Sequence, residues 1–422
     1  MRHVYAVLRR LDALVVRRRV RDYSWIIMAL CAAALVWNIA AGDYPLAATR
    51  DVVLPDFQAR WTGARLILEG RVDVLYDPVV QRAVQESVPG TVGLSWFVSP
   101  PTTALLYLPY GLMPYSVAVA VRGLALLALL GACVFEAGRL VPGLKDYRVL
   151  ALAFLASPPV LQVLITGQDS FGVTLVFVAA VGLLLRGRDV GAGAVLGLGV
   201  FKPHLFVLVP LALVVQRRWK AVAACGGVAL GLVAVTLPVV GISGWRAWVD
   251  VLGSEKFQAG VQGGQAWLMQ GLPSLLTELG SPHWVGYPIL ALGVTVLALR
   301  LRGETDTLRL WALTLLATMV LSAHVLSYDL VFLLPVMVYV AREGTTRTIR
   351  LTSIALVLVL WTAVPRHILI ETYPHLWLLG VPWSSILLAA VSWQVYRLGH
   401  RREDPEHVGL YRAQGSSAID PA

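Results

Sequence analysis

The sequence predicts an all-α polytopic membrane protein, and three observations carry that. Of its 422 residues 57% are hydrophobic and only 14% are charged, and apolar runs recur from Trp25 to Tyr396 with few soluble stretches between them. A run such as Val117–Leu140 is apolar on every face and long enough, as a helix, to cross a hydrocarbon core of about 30 Å. A β-barrel would instead show short alternating segments, and helices are the other way to satisfy the backbone in lipid.

Taken in order, spans are expected near 25–42, 116–140, 149–165, 171–186, 220–241, 285–301, 308–323, 328–341, 350–365 and 378–396. Segment 101–113 is too short to cross at about 1.5 Å per residue, and 190–215 is interrupted by Lys202-Pro203. Both read as half-spans or re-entrant hairpins, so the fold holds roughly 10–12 transmembrane helices. Residues 1–24 form a basic N-terminus ahead of an uncleaved signal anchor, 25–397 a single transmembrane domain, and 398–422 a polar, disordered tail.

The basic residues test this arrangement, because Lys and Arg near span ends stay cytoplasmic. With the N-terminus inside, 25 of the 35 fall on the cytoplasmic side and 8 on the outer side, while Arg122 and Lys202 lie within spans. Both termini are therefore expected in the cytoplasm of a multi-pass cell-membrane protein. The same basic clusters explain the formal charge of +10 as a topology signal, so nucleic acid is not an expected partner. Cys31, Cys133 and Cys225 sit in apolar runs without pairing or ligand spacing.

This orientation sends Asp56, Gln168-Asp169, Lys202-Pro203-His204, His324, Asp329 and His367 to the outer face. Two outer loops, 43–100 and 242–285, are expected to lie flat on the interface, the first through a helix striped with Phe57, Trp61, Ala64 and Leu68, the second through Trp245, Trp248, Phe257 and Trp267.

Among these residues Asp56 reads two ways, as a general base at the lipid–water boundary or as the N-cap of a helix opening at Phe57. His324 and Tyr328 share a face if Leu321–Asp329 is helical, with Asp329 turned away by roughly 140°. A histidine there suits a phosphate or a bridge between helix ends. Lys202, at a hairpin tip facing a wet cavity, suits an anion or snorkels to the interface. Gln168 and Asp169 suit sugar hydroxyls or a helix cap, and Arg60 and Arg65 a lipid phosphate or general anionic attraction. Asp73 and Asp77 are not an Asp-x-Asp pair, and no other cluster offers the oxygens of a divalent-ion site, so neither metal nor cofactor is expected.

Asp56-Phe57 with Trp61 and Gly63-Ala64-Arg65, Leu75-Tyr76-Asp77-Pro78, Ser99-Pro100-Pro101 with Leu108-Pro109, Gly167-Gln168, Gly197-Leu198-Gly199 with Lys202-Pro203-His204, and His324 through Asp329 with Pro335 together resemble glycosyltransferase family 87. The resemblance implies a GT-C fold whose transmembrane domain is catalytic, with its site on the outer face. It implies a polyprenyl-phosphate sugar donor, most simply mannose, a glycolipid or envelope glycan acceptor, and inversion without a metal. Asp56 and His324 match the family's catalytic pair and Lys202 its lysine. His204, Arg60, Arg65, Gln168, Asp169, Tyr328 and Asp329 are then candidates for binding the donor phosphate and the substrates, and loop 242–285 for an acceptor platform. The chain departs from the family's Gly-Gln-Val-Asn at Gly167-Gln168-Asp169-Ser170, and from Ser-Trp at Ser322-Ala323, positions expected on the acceptor side. A transporter or flippase of lipid-linked sugars is the rival reading, and it would call for paired inverted repeats.

Overall fold

The structure, a computed structural model, describes residues 17–91, 93–263, 268–322, 324–344, 346–362 and 382–400. His367 and Trp267 lie outside them, as do residues 1–16 and 401–422. The described residues form helices joined by loops, an all-α polytopic membrane protein, with isolated bridges at Leu46–Val52 and Met269–Leu326. Its helices are α1 (Arg17–Ala40), α2 (Pro55–Leu68), α3 (Pro78–Glu86), α4 (Pro101–Leu106), α5 (Leu108–Gly111), α6 (Tyr115–Gly138), α7 (Tyr147–Leu155), α8 (Pro158–Thr166) and α9 (Ser170–Leu185). There follow α10 (Asp189–Gly197), α11 (Val209–Val215), α12 (Trp219–Gly253), α13 (Leu272–Glu278), α14 (Gly286–Leu301), α15 (Thr307–Leu321), α16 (Leu334–Arg342), α17 (Arg347–Thr362) and α18 (Trp383–His400). Helices α1, α6 and α12 are each long and apolar enough to cross a membrane.

The expected span 149–165 is two helices, α7 and α8, bent by 50°. Pro158 and Pro159 open the second, where proline lacks the N–H that would continue the first. Segment 101–113 is divided into two short helices, α4 and α5. Segment 190–215 is a hairpin. Its two ends meet where Arg218 Nη1 donates to Asp189 Oδ1 at 2.7 Å, and its tip, Leu198–Leu205, holds Lys202. The neighbouring α9 runs between the same two levels: Leu184 O accepts from Arg218 at one end and Ser170 Oγ meets Lys202 Nζ at the other. Its 16 residues rise about 24 Å. The hairpin tip thus lies about 24 Å from its ends. Gly193 and Gly197 let its first arm lie against α12, since an added Cβ would meet Ala221 O at 2.1 Å and Cys225 O at 2.6 Å.

One expected interfacial element, the helix of the first outer loop, is buried instead. Helix α2 is enclosed on both sides: Phe57, Trp61 and Ala64 enter the main core, and Ala59, Leu66 and Ile67 enter a second core with Leu75, Tyr76 and Phe97. The stripe read from sequence was half of its buried surface, and Leu68 is exposed. In the 242–285 loop, α12 continues past a break at Gly241 (φ 65°, ψ 178°), three residues beyond Pro238. Trp248 Nε1 then donates to Val98 O at 3.0 Å, which folds this loop onto residues 95–98. That stretch is held in turn by Gln81 and Gln85 of α3, whose buried amides pair with the backbone of Phe97 and Ser95.

The expected helix over 328–341 is a 3-10 helix, Ser327–Leu333, before α16 begins. Ser322 and residues 324–326 are not helical, and Gln270 N donates to Val325 O at 2.8 Å. His324 and Tyr328 therefore do not share a helix face, and the expected rotation of Asp329 away from them does not apply.

Candidate functional site

One cavity of about 1220 Å³ opens at the end of the bundle where α2, the α8–α9 turn, the hairpin tip and the 3-10 helix converge. Every candidate residue from the sequence lines it except Arg65. Arg65 stacks over Trp61, donates to Gly111 O and pairs with Glu69, on the far side of α2 from Arg60. Five residues of helix turn it away by about 140°.

The turn Gly167–Ser170 organises the site. Gly167 ends α8 with φ 82°, and an added Cβ would lie 2.7 Å from Phe57 Cβ, so glycine permits both the turn and the approach of α2. Asp169, next but one, accepts from Arg60 Nε at 2.5 Å, from Arg122 Nη2 at 3.0 Å and from the Tyr107 hydroxyl. Burial alone would raise its pKa, but the Arg60 and Arg122 guanidiniums outweigh it and hold the carboxyl down to about 2. Arg122 also donates to the backbone oxygens of Gly167 and Gln168. Both oxygens of Asp169 are engaged, so it anchors the turn and is not a free acceptor-side group.

Asp56 lies in the first turn of α2, not at its cap. The N-cap is Leu54, and α2 has no side-chain cap bond, which removes the capping reading. Its Oδ2 accepts from Gln168 Nε2 at 2.6 Å. Gln168 Oε1 accepts from Arg60 Nη2 at 2.7 Å, and Gln168 Nε2 also reaches Tyr328 Oη at 2.9 Å. The half-buried Asp56 carboxyl has its pKa raised by burial, with Arg60 and the Gln168 amide pulling the other way. A carboxylate poised upwards is a better proton acceptor than an ordinary surface aspartate.

Lys202 is not a free point charge. Its Nζ meets Asp329 Oδ1 at 2.5 Å and lies 5.3 Å from the Tyr328 ring centre, while Asp329, fully buried, also accepts from Ser170 Oγ at 2.7 Å and Leu326 N at 3.2 Å. Beside this pair the His204 and His324 rings meet edge to face at 5.3 Å. Among the described residues His204 Nε2 and His324 Nδ1 are buried without a hydrogen-bond partner. Burial lowers the pKa of His324 to about 4, so it is neutral at pH 7. Phe257 packs 6.4 Å from His324, and with Trp248 lines the same cavity.

Arg122 and Tyr107 are site residues that sequence reasoning missed. Arg122 had a signal, a cation inside an apolar span, which is costly unless paired. Tyr107 had none. The two acids of the Asp73–Asp77 pair have no shared role, because Asp77 caps α3 by accepting from Val79 N at 2.8 Å.

Fold and cavity together define a helical membrane protein that gathers carboxylates, cations and imidazoles at one end of its bundle. A family model for glycosyltransferase family 87 matches residues 97–327, more than half of the chain, and the chain belongs to that family. It is a membrane glycosyltransferase. The chain is similar, at 26% identity over 318 residues and 71% of each chain, to the polyprenol-phosphate-mannose-dependent alpha-(1-2)-phosphatidylinositol pentamannoside mannosyltransferase of Mycolicibacterium smegmatis (strain ATCC 700084 / mc(2)155). No solved structure matches. Gln168, Asp169, Lys202, His204 and His324 fall within the family match, whereas Asp56 precedes it.

Proposed function

We propose that this protein transfers a hexose, mannose in the simplest case, from a polyprenyl phosphate to a hydroxyl of a glycolipid or envelope glycan. The reaction takes place on the outer membrane face, with inversion and without a metal, the Lys202 ammonium meeting the phosphate charge. The observation that carries it is the cavity that Asp56, Lys202, His204 and His324 line together.

In the step itself the acceptor oxygen bonds to the anomeric carbon while the bond from that carbon to the phosphate oxygen breaks. The electron pair leaves with polyprenyl phosphate, and the acceptor's proton passes to Asp56 Oδ. A positioned base of this kind contributes roughly 10²–10⁴ in rate. The unpartnered His204 and His324 nitrogens and the Lys202 ammonium supply the polar contacts that stabilise the departing phosphate. Arg60 and Gln168 orient the carboxylate. The donor suggestion is supported by the polyprenol-phosphate-mannose dependence of the mycobacterial relative.

Purified protein supplied with labelled polyprenyl-phosphate mannose and extracted membrane lipid is expected to move label into a new lipid. Movement of the intact donor across the bilayer without a new product would favour a transporter instead.

A further inference from the structure

A second cavity, of about 790 Å³, also has Asp56 in its lining, together with Leu94 and Ser95. Lys202, His204 and His324 line only the larger one. The second is a groove between α1, which contributes Leu35 and Ile39, and α6, which contributes Val119, Gly123 and Leu127. Its outer rim faces the bundle's surface, where Leu124 and Leu127 are 70% and 57% exposed. Beside Asp56 its lining is polar at Gln58, which donates to Thr91 at 2.9 Å, and the groove also holds Asn38, Arg50 and Asp51.

If the reaction is the displacement proposed above, on which this inference rests, the departing phosphate and the attacking oxygen lie on opposite faces of the sugar. The phosphate belongs with Lys202 and the histidines. The attacking hydroxyl belongs at Asp56, so the rest of the acceptor must extend away from the phosphate side, and the groove is the opening at Asp56 that the phosphate-binding residues do not line. Apolar walls open towards lipid suit hydrocarbon, and a polar neck suits a head group.

We infer that the groove between α1 and α6 holds a hydrocarbon chain of a lipid acceptor, presenting its head-group hydroxyl to Asp56. Such an acceptor enters sideways from the membrane. The loop bearing Trp248 and Phe257, expected as the acceptor platform, lines the larger cavity, with Phe257 beside His324.

Gly123 provides the test. A Cβ there meets no atom within 4 Å, so Gly123→Leu fills the groove while replacing a helix-interior glycine with a better helix former. Two acceptors are compared: the extracted lipid that the wild-type enzyme labels, and the same lipid after mild alkaline deacylation. Gly123→Leu is expected to raise KM for the acylated lipid roughly tenfold, the effect of denying burial to about two methylenes. The donor KM, the kcat and the reaction with the deacylated form should not change, and Gly123→Ala should behave as wild type. A raised donor KM would assign the groove to the polyprenyl chain, and an unchanged KM for acylated lipid would leave it without an acceptor; either overturns the inference. Acyl lipid retained on the purified protein, measured by mass spectrometry, provides a readout independent of transfer. Loss of that lipid in Gly123→Leu supports the groove even if no transfer is found, in which case the reaction falls and not the groove. Equal retention in both proteins counts against it.

Discussion

Gln168 gives its amide N–H to Asp56 at 2.6 Å and takes the Arg60 guanidinium on its oxygen at 2.7 Å. This one side chain fixes both the direction and the charge environment of the proposed base. Glutamate at 168 would keep the Arg60 contact, lose the donor to Asp56 and place a like charge against it, which disfavours ionisation. Gln168→Glu is expected to reduce transfer about tenfold or more at pH 7 and to shift the acid limb of the rate profile to higher pH. A profile that keeps its wild-type midpoint would show that Gln168 does not tune Asp56.

The Lys202–Asp329 pair predicts a stability effect, not a simple loss of affinity. Asp329 is wholly buried, so removing its cation leaves an uncompensated charge, a change that typically costs about 3–5 kcal/mol. Lys202→Met should therefore unfold at lower temperature in detergent. Lys202→Met combined with Asp329→Asn should recover much of the loss, because no buried charge then remains. Equal melting temperatures for Lys202→Met and wild type would mean that the pair is open to solvent.

Acid should weaken the site from several directions. His324 has its pKa depressed from 6.5 to about 4, so the unfolded chain takes up a proton first and stability falls as pH drops from 6.5 towards 4. Asp169, depressed from 3.8 to about 2, contributes stability that is present above 3.8 and lost as pH falls through about 2. Asp56 is raised above 3.8, and since it must be ionised to accept a proton, transfer declines at a higher pH than for an ordinary aspartate. Melting curves across pH 4–8 should show the histidine-linked decline, and a flat response over that range would contradict it.

The proposed orientation can be tested at two exposed positions. Ser87, in the segment joined to the cavity wall, and Thr305, in the turn before α15, are each replaced by cysteine in a background lacking Cys31, Cys133 and Cys225. A membrane-impermeant reagent added to intact cells should label Ser87→Cys and spare Thr305→Cys. The opposite pattern would put the cavity on the cytoplasmic side.

The membrane class was legible because apolar runs report directly on a lipid environment. So were the candidate residues lining the cavity, since polar groups at span ends are costly without a role. Less legible was how elements pack on one another. Helix α2 shows an amphipathic stripe in sequence, yet Ala59, Leu66 and Ile67 are buried against partners that only the fold supplies. The 3-10 geometry at Ser327–Leu333 brings Asp329 to Lys202, a pairing hidden by the assumption of an ordinary helix. Arg65 follows the same motif as Arg60 but turns away, because spacing along a helix, not proximity in sequence, decides which residues share a face.

The central claim is that Asp56 accepts the acceptor's proton, and Asp56→Asn tests it most directly. Asparagine keeps the shape and can still accept from Gln168 but cannot serve as the base. With no side-chain cap bond on α2 to lose, the variant should fold normally. Measured with labelled polyprenyl-phosphate mannose and extracted lipid, it should bind donor as wild type does and transfer at a rate lower by roughly 10² or more, about 2.7 kcal/mol of barrier. Near-normal turnover by a well-folded Asp56→Asn protein would contradict the account.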